Sequence, residues 1–150
     1  MANVFDVAKY ILHKTNAIST MKLQKLVYYA QAWSTVWDNP PDAPLFPERI
    51  EAWSLGPVVP ELFAWHKGHF SVGVDVFPNG DVSRLSRDQR ETIDSVLAFY
   101  GHRTAQWLSD LSHSEPPWRD ARVGIPEGER GGVEITLESM AEYYGSLTEK

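Results

Sequence analysis

A chain of 150 residues, 43% hydrophobic and 23% charged, is long enough to bury one core and predicts a single domain over residues 1–150. The absence of cysteine excludes disulfides, thiolate catalysis and Cys-ligated zinc, and suits a reducing cytoplasm. A net charge of −6, from 20 acidic against 14 basic side chains, argues against a phosphate-neutralising nucleic-acid binder and favours basic protein partners.

The first residues, Met1-Ala2-Asn3-Val4-Phe5-Asp6, lack the basic and apolar regions of a signal peptide, and no window reaches the roughly 18 unbroken apolar residues of a membrane span. Apolar residues at 4, 7, 8, 11 and 12 predict a first helix from Val4 to about Lys14, with Asn3 as its cap and Asp6 in its first turn, where the helix dipole favours a carboxylate. A second helix is predicted from Thr20 to about Trp37. Leu23, Leu26, Val27, Ala30 and Ser34 form its packed stripe, while Tyr28, Tyr29, Trp33 and Trp37 extend the apolar surface beyond one core contact. The run Asn39-Pro40-Pro41-Asp42-Ala43-Pro44 ends it, because proline cannot continue the hydrogen-bond ladder.

Residues 45–59 read as irregular, with Ile50 to Trp53 either a short strand or a turn of helix. Pro60-Glu61 opens a short helix to about Lys67, closed by Gly68. Alternation at Phe70, Val72, Val74 and Val76, then Asn79-Gly80, then Val82 to Leu85, predicts a small β-hairpin leaning on the helices. Ser86 and Gln89 make a capping box for a long helix with Ile93, Val96, Leu97 and Tyr100 inward and Gly101 as its stop. Thr104 caps the next helix, which turns Ala105, Leu108 and Leu111 inward. His113 to Trp118 reads as a loop, about 123–133 as a flexible loop, and Thr136 caps a last helix bearing Leu137, Met140, Ala141 and Tyr144. The fold class expected is mainly α (α+β): a compact bundle of about six helices with one small hairpin.

Few constellations point to chemistry. His66 and His69 are spaced for a metal pair, with Glu61 or Asp75 as a third ligand, but Gly68 between them ends the helix and favours a structural reading. His113 and Glu115 could act as general base and orienter, yet no nucleophile accompanies them. Organising a helix end explains them better, with Pro116-Pro117 stiffening the exit and Trp118 filling a gap. Leu55-Gly56-Pro57-Val58 reads as a tight turn holding Trp53 against the second helix. A helix-turn-helix entered at Ile18-Ser19-Thr20 would aim Lys22 and Lys25 at phosphates, and Arg130-Gly131-Gly132 is a single weak RNA-type tripeptide. The second helix, carrying Tyr28, Tyr29 and Trp33, is too apolar to lie in a groove and argues against the helix-turn-helix. Six tryptophans exceed the needs of a helical core this size, and Trp37, Trp65 and Trp118 are the expected surface anchors.

Three segments carry a resemblance: Met21-Lys22-Leu23-Gln24-Lys25-Leu26 with Tyr28-Tyr29-Ala30-Gln31, Ala52-Trp53 followed by Gly56-Pro57-Val58, and His113 with Glu115 and Pro117-Trp118. Their order and spacing resemble the Panacea domain, the SocA-like family of bacterial and phage antitoxins, over nearly the whole chain. The family pattern lands on Lys22, Leu23, Lys25, Leu26, Tyr28, Tyr29, Trp53, Gly56, Pro57, Val58, His113, Pro117 and Trp118, positions that mostly define a fold. Leu55 and Ser112 depart slightly from it. The resemblance implies a cytoplasmic antitoxin, not an enzyme, that needs no cofactor or metal. It would bind a cognate toxin encoded beside it and, as a proteolytic adaptor, escort it to a Clp-type protease; family toxins include alarmone synthetase-type enzymes and membrane-active peptides. Toxin-binding candidates are Trp37, Trp65, Glu115, Trp118, Arg119 and Asp120. The alternative is a DNA-binding regulator of its own operon, with no membrane partner in either case.

Overall fold

A computed structural model describes residues 2–38 and 43–148, with seven α-helices and five short strands among them. The helices are α1 (Val4–Thr15), α2 (Thr20–Trp37), α3 (Pro60–His66), α4 (Arg87–Tyr100), α5 (Ala105–Ser114), α6 (Pro116–Ala121) and α7 (Leu137–Ser146). The strands are β1 (Ile18–Ser19), β2 (Ile50–Trp53), β3 (Gly56–Val58), β4 (Ser71–Val72) and β5 (Glu134–Ile135). The mainly helical α+β class is as expected.

Local chemistry sets most helix starts. Asn3 accepts from the Phe5 and Asp6 amides while the Asp6 carboxylate accepts from the Asn3 amide, a capping box that satisfies orphan donors at the N-terminus of α1. Ser86 and Gln89 make the same reciprocal pair for α4, and Thr104 and Thr136 cap α5 and α7. Helix α2 ends at Trp37, where the Asp38 amide closes onto Ser34; of the run at 39–44 predicted to end it, residues 39–42 lie outside the described residues.

Helix α2 does not show one stripe to a core. Every residue from Leu23 to Thr35 is buried, because α1, α4, α5, α7 and β3 pack around it. Tyr28 and Tyr29, read as surplus surface, are 1% and 0% exposed. A helix enclosed on every side must also bury polar residues, and those need partners. Gln31 illustrates this: its amide N–H donates to the Phe46 carbonyl at 2.8 Å and its oxygen accepts from the Leu45 amide at 2.8 Å.

The hairpin predicted over Phe70 to Leu85 does not form. Ser71–Val72 pairs instead with Ile18–Ser19, the following segments are single 3₁₀ turns at Val74–Val76 and Val82–Arg84, and Phe70 is 86% exposed. The start of α1 competes for this segment and wins. Buried Asp6 accepts from the Asp81 amide at 2.7 Å and pairs with Arg84 at 3.1 Å, and Lys9 donates to the Gly80 carbonyl at 3.3 Å. The Asn79-Gly80 turn is thus laid on α1; a Cβ at Gly80 would stand 2.6 Å from the Phe5 carbonyl oxygen. The hairpin of this protein is β2–β3, turning at Ser54-Leu55, with β5 on the other side of β2 in the order β3-β2-β5. Pro57 stands in edge strand β3, where a missing N–H breaks no ladder.

Candidate functional site

The MKLQKL segment and the GPV turn lock into each other. Gln24, 3% exposed, accepts the Val59 amide on its side-chain oxygen at 2.9 Å, and its amide nitrogen donates to the Val59 carbonyl at 3.3 Å and to His66 Nε2 at 2.9 Å. Because that histidine nitrogen accepts, its proton sits on Nδ1 and the ring is neutral. Burial pushes the His66 pKa down, in agreement. Gln24 therefore decides how α3 seats on α2. Replacing Gln24 by leucine strands the Val59 amide and His66 Nε2, and is expected to lower stability by about 2–4 kcal/mol in urea unfolding.

Lys25, one turn face away, runs over Gly56 and donates to the Pro57 carbonyl at 3.2 Å. Gly56 has φ +124°, and a Cβ there would lie 2.5 Å from Lys25 Cε. The glycine is required twice, by the backbone and by the lysine stem. Burial lowers the Lys25 ammonium from its usual value to about 8. Lys22 donates to the Gly101 carbonyl at 2.8 Å. Both lysines of the helix-turn-helix reading are thereby engaged inside the protein, and Ile18–Ser19 ahead of α2 is a strand paired to β4.

The second centre lies around Glu115. The expected loop from His113 to Trp118 is two helix ends: His113 and Ser114 finish α5, and Pro116 starts α6 across Glu115. The Glu115 carboxylate is 5% exposed and accepts from the Tyr29 hydroxyl at 2.8 Å and the Tyr144 hydroxyl at 2.7 Å, while Tyr28 and Tyr144 hydroxyls meet at 3.0 Å. Burial raises the Glu115 pKa, and the two tyrosine hydrogen bonds oppose the rise. Tyr29, Tyr28 and Tyr144 are all raised by burial, and Tyr100, stacked on Tyr29 at 4.1 Å, is pushed up to about 12. His113 turns away and stacks on Trp118 at 4.1 Å, so the acid–base pair considered from sequence is not assembled. Trp118 donates its indole N–H to the Trp53 carbonyl at 2.8 Å, tying α6 to the β2–β3 turn.

The toxin-binding candidates are not brought together. Glu115 and most of Trp118 face inward, which removes Glu115 from any accessible surface. Trp37 and Trp65 are each 46% exposed but belong to separate places: Trp37 stacks on Trp33 at the end of α2, and Trp65 sets its edge against Phe5. Arg119 and Asp120 are exposed on α6, beside a groove of about 420 Å³ between α6, β5 and α7. Asp120, Glu134 and Glu142 line it with Pro117 and Tyr143, and no basic residue does. The 123–133 stretch is irregular and mostly exposed, yet Arg122, 8% exposed, donates to the Ala52, Arg130 and Pro126 carbonyls at 3.1, 2.9 and 3.2 Å. Gln24 and Arg122 went unmarked as organising residues, and Asp6 was marked only for its helix start, since the contacts to Val59, Ala52 and Asp81 lie far along the chain. No group of metal-ligating residues occurs among the described residues, and none of their helices is long and apolar enough to cross a membrane.

A family model described as "Antitoxin SocA-like, Panacea domain" matches residues 23–119, from the first buried leucine of α2 to Arg119 in α6. No curated protein and no solved structure gives a match. The matched segment holds the Gln24–Lys25–Gly56 lock, Tyr29, Glu115 and Trp118 within well over half of the chain, and the protein belongs to the SocA-like antitoxin, Panacea-domain family.

Proposed function

We propose that this chain is the antitoxin of a bacterial or phage toxin–antitoxin pair and neutralises a toxin encoded beside it by direct binding in the cytoplasm. Family membership over residues 23–119 carries this reading. The net charge of −6 and the acidic groove between α6 and α7 support a basic segment of the toxin as the feature recognised. Arg119 and Asp120 lie at the edge of that face, and Tyr143 and Pro117 offer it apolar contact. Delivery of the bound toxin to a Clp-type protease is a further step of the same reading.

Co-expression with the product of the adjacent gene tests it. Growth rescue with a co-purifying complex is the expected result, and rescue with falling toxin levels marks the protease route. No rescue from a toxic neighbour overturns the proposal. For the face itself, the double variant Asp120→Lys with Glu142→Lys is expected to weaken toxin binding at least about tenfold while leaving the melting temperature nearly unchanged, since both side chains are exposed. Unchanged binding by that variant places the toxin elsewhere on the surface.

A further inference from the structure

Lys25 poses a problem that the antitoxin reading does not use. An ammonium group carries three donors and is costly to bury without a compensating charge. Lys25 is 1% exposed, its hydrogen bond is to the neutral Pro57 carbonyl, and no carboxylate stands within ion-pair distance of it among the described residues. It lies at the floor of a cleft of about 310 Å³ between α2, α3 and the β2–β3 turn.

The walls of the cleft are Met21, Trp53, Leu55, Val58 and Phe63. At its mouth stands a second cation, Arg130, whose guanidinium lies 4.2 Å from the centre of the Trp53 ring and 5.4 Å from that of Phe63. Arg130 is exposed and forms no ion pair among the described residues. Gln24 and His66 complete the floor, but their hydrogen bonds already join each other, and the His66 ring is neutral. Glu51, the nearby acid of strand β2, is held by Arg49 at 3.1 Å and by the Trp53 indole N–H at 2.9 Å, and it does not line the cleft. Two cations without an ion pair among the described residues thus line one apolar cleft in a protein that is acidic overall.

We infer that this cleft is a binding site for a small organic acid, with its carboxylate set between Lys25 and Arg130 and an aromatic or branched apolar body against Met21, Leu55 and Val58, since the Trp53 and Phe63 rings already meet edge to face at 5.0 Å and form one wall. Oppositely charged partners at Lys25 complete the burial that the fold leaves uncompensated, and the ring walls supply contact area. The volume is at the small end of ligand pockets, about 300–1,000 Å³, so the occupant is a single small molecule and not a folded segment. The inference does not depend on the antitoxin reading, and its test needs no toxin.

Calorimetric titration of the purified protein with N-acetyl-L-phenylalanine, its carboxamide, and a short peptide ending in phenylalanine with a free carboxylate decides the matter. The acid is expected to bind saturably, at least about tenfold tighter than the amide. Arg130→Gln, at an exposed position that keeps the fold, and Lys25→Met, of similar volume, are each expected to weaken the acid several-fold and to bring acid and amide together. Absence of saturable binding, equal binding of acid and amide, or full affinity in Arg130→Gln overturns the site. A peptide that binds more than about tenfold tighter than the free acid overturns the small acid as occupant in favour of a chain terminus.

Discussion

Replacing Glu115 by alanine is expected to lower the free energy of unfolding by about 3–5 kcal/mol, because two buried tyrosine hydroxyls lose their shared acceptor and a cavity opens where α5 meets α6. Denaturant unfolding reads the loss directly. Glu115→Gln keeps an acceptor oxygen and is expected to lose far less. It also isolates the charge. A carboxyl whose folded pKa lies above its unfolded value gives stability that is complete below the unfolded value and is lost as pH rises through the folded one. Glu115 is raised in this way, chiefly by burial. The wild-type chain is therefore expected to lose stability relative to Glu115→Gln as pH rises from about 4 towards 8. A difference that stays flat across that range, or that changes in the opposite sense, shows that burial does not raise the Glu115 pKa.

The second large effect falls on Gly56. Gly56→Val is expected to cost about 3 kcal/mol or more, which for a chain of this length is a fall of about 6–12 °C in melting temperature. A β-branched residue is poorly accommodated at φ +124°, and its Cβ would meet Lys25 Cε at 2.5 Å. Leu55, the neighbouring residue, is 60% exposed, and Leu55→Val is expected to stay within about 0.5 kcal/mol. Coupling separates the two causes: if the lysine stem matters, Gly56→Val costs less in a Lys25→Ala background than in the wild type. Equal costs in both backgrounds assign the whole effect to the backbone.

What the sequence made legible was chiefly local. The caps at Asn3, Ser86, Thr104 and Thr136 depend on residues within three positions, and all four stand where expected. The surroundings of α2 were hidden because Gln24, Lys25 and Gln31 look like a solvent face until their partners are known. Those partners lie at Val59, Pro57 and Phe46, on segments that periodicity alone does not place beside α2. Glu115 shows the same limit: a carboxylate next to two prolines reads as surface, whereas its tyrosines come from residues 29 and 144. The hairpin expected at Asn79-Gly80 was a competition that turn chemistry could not decide, since the acceptor that captured the segment was Asp6, 75 positions earlier in the sequence. Of the candidate site, the motif residues emerged as a packed lock, while the exposed tryptophans proved scattered and the acidic groove depended on Glu134 and Glu142, which no motif contains.

The enclosure of α2 has a consequence for how the chain is made. Tyr28 on α2 meets Tyr144 on α7 across 116 positions of sequence. At ribosomal speeds of about 5–20 residues per second, roughly 6–23 s separate the synthesis of the two. Throughout that interval the nascent chain carries a helix whose last wall does not yet exist, so its apolar face is open to chaperones and proteases. Vectorial synthesis therefore delivers α2 well before its cover, and the domain closes around that helix only once α7 has been made.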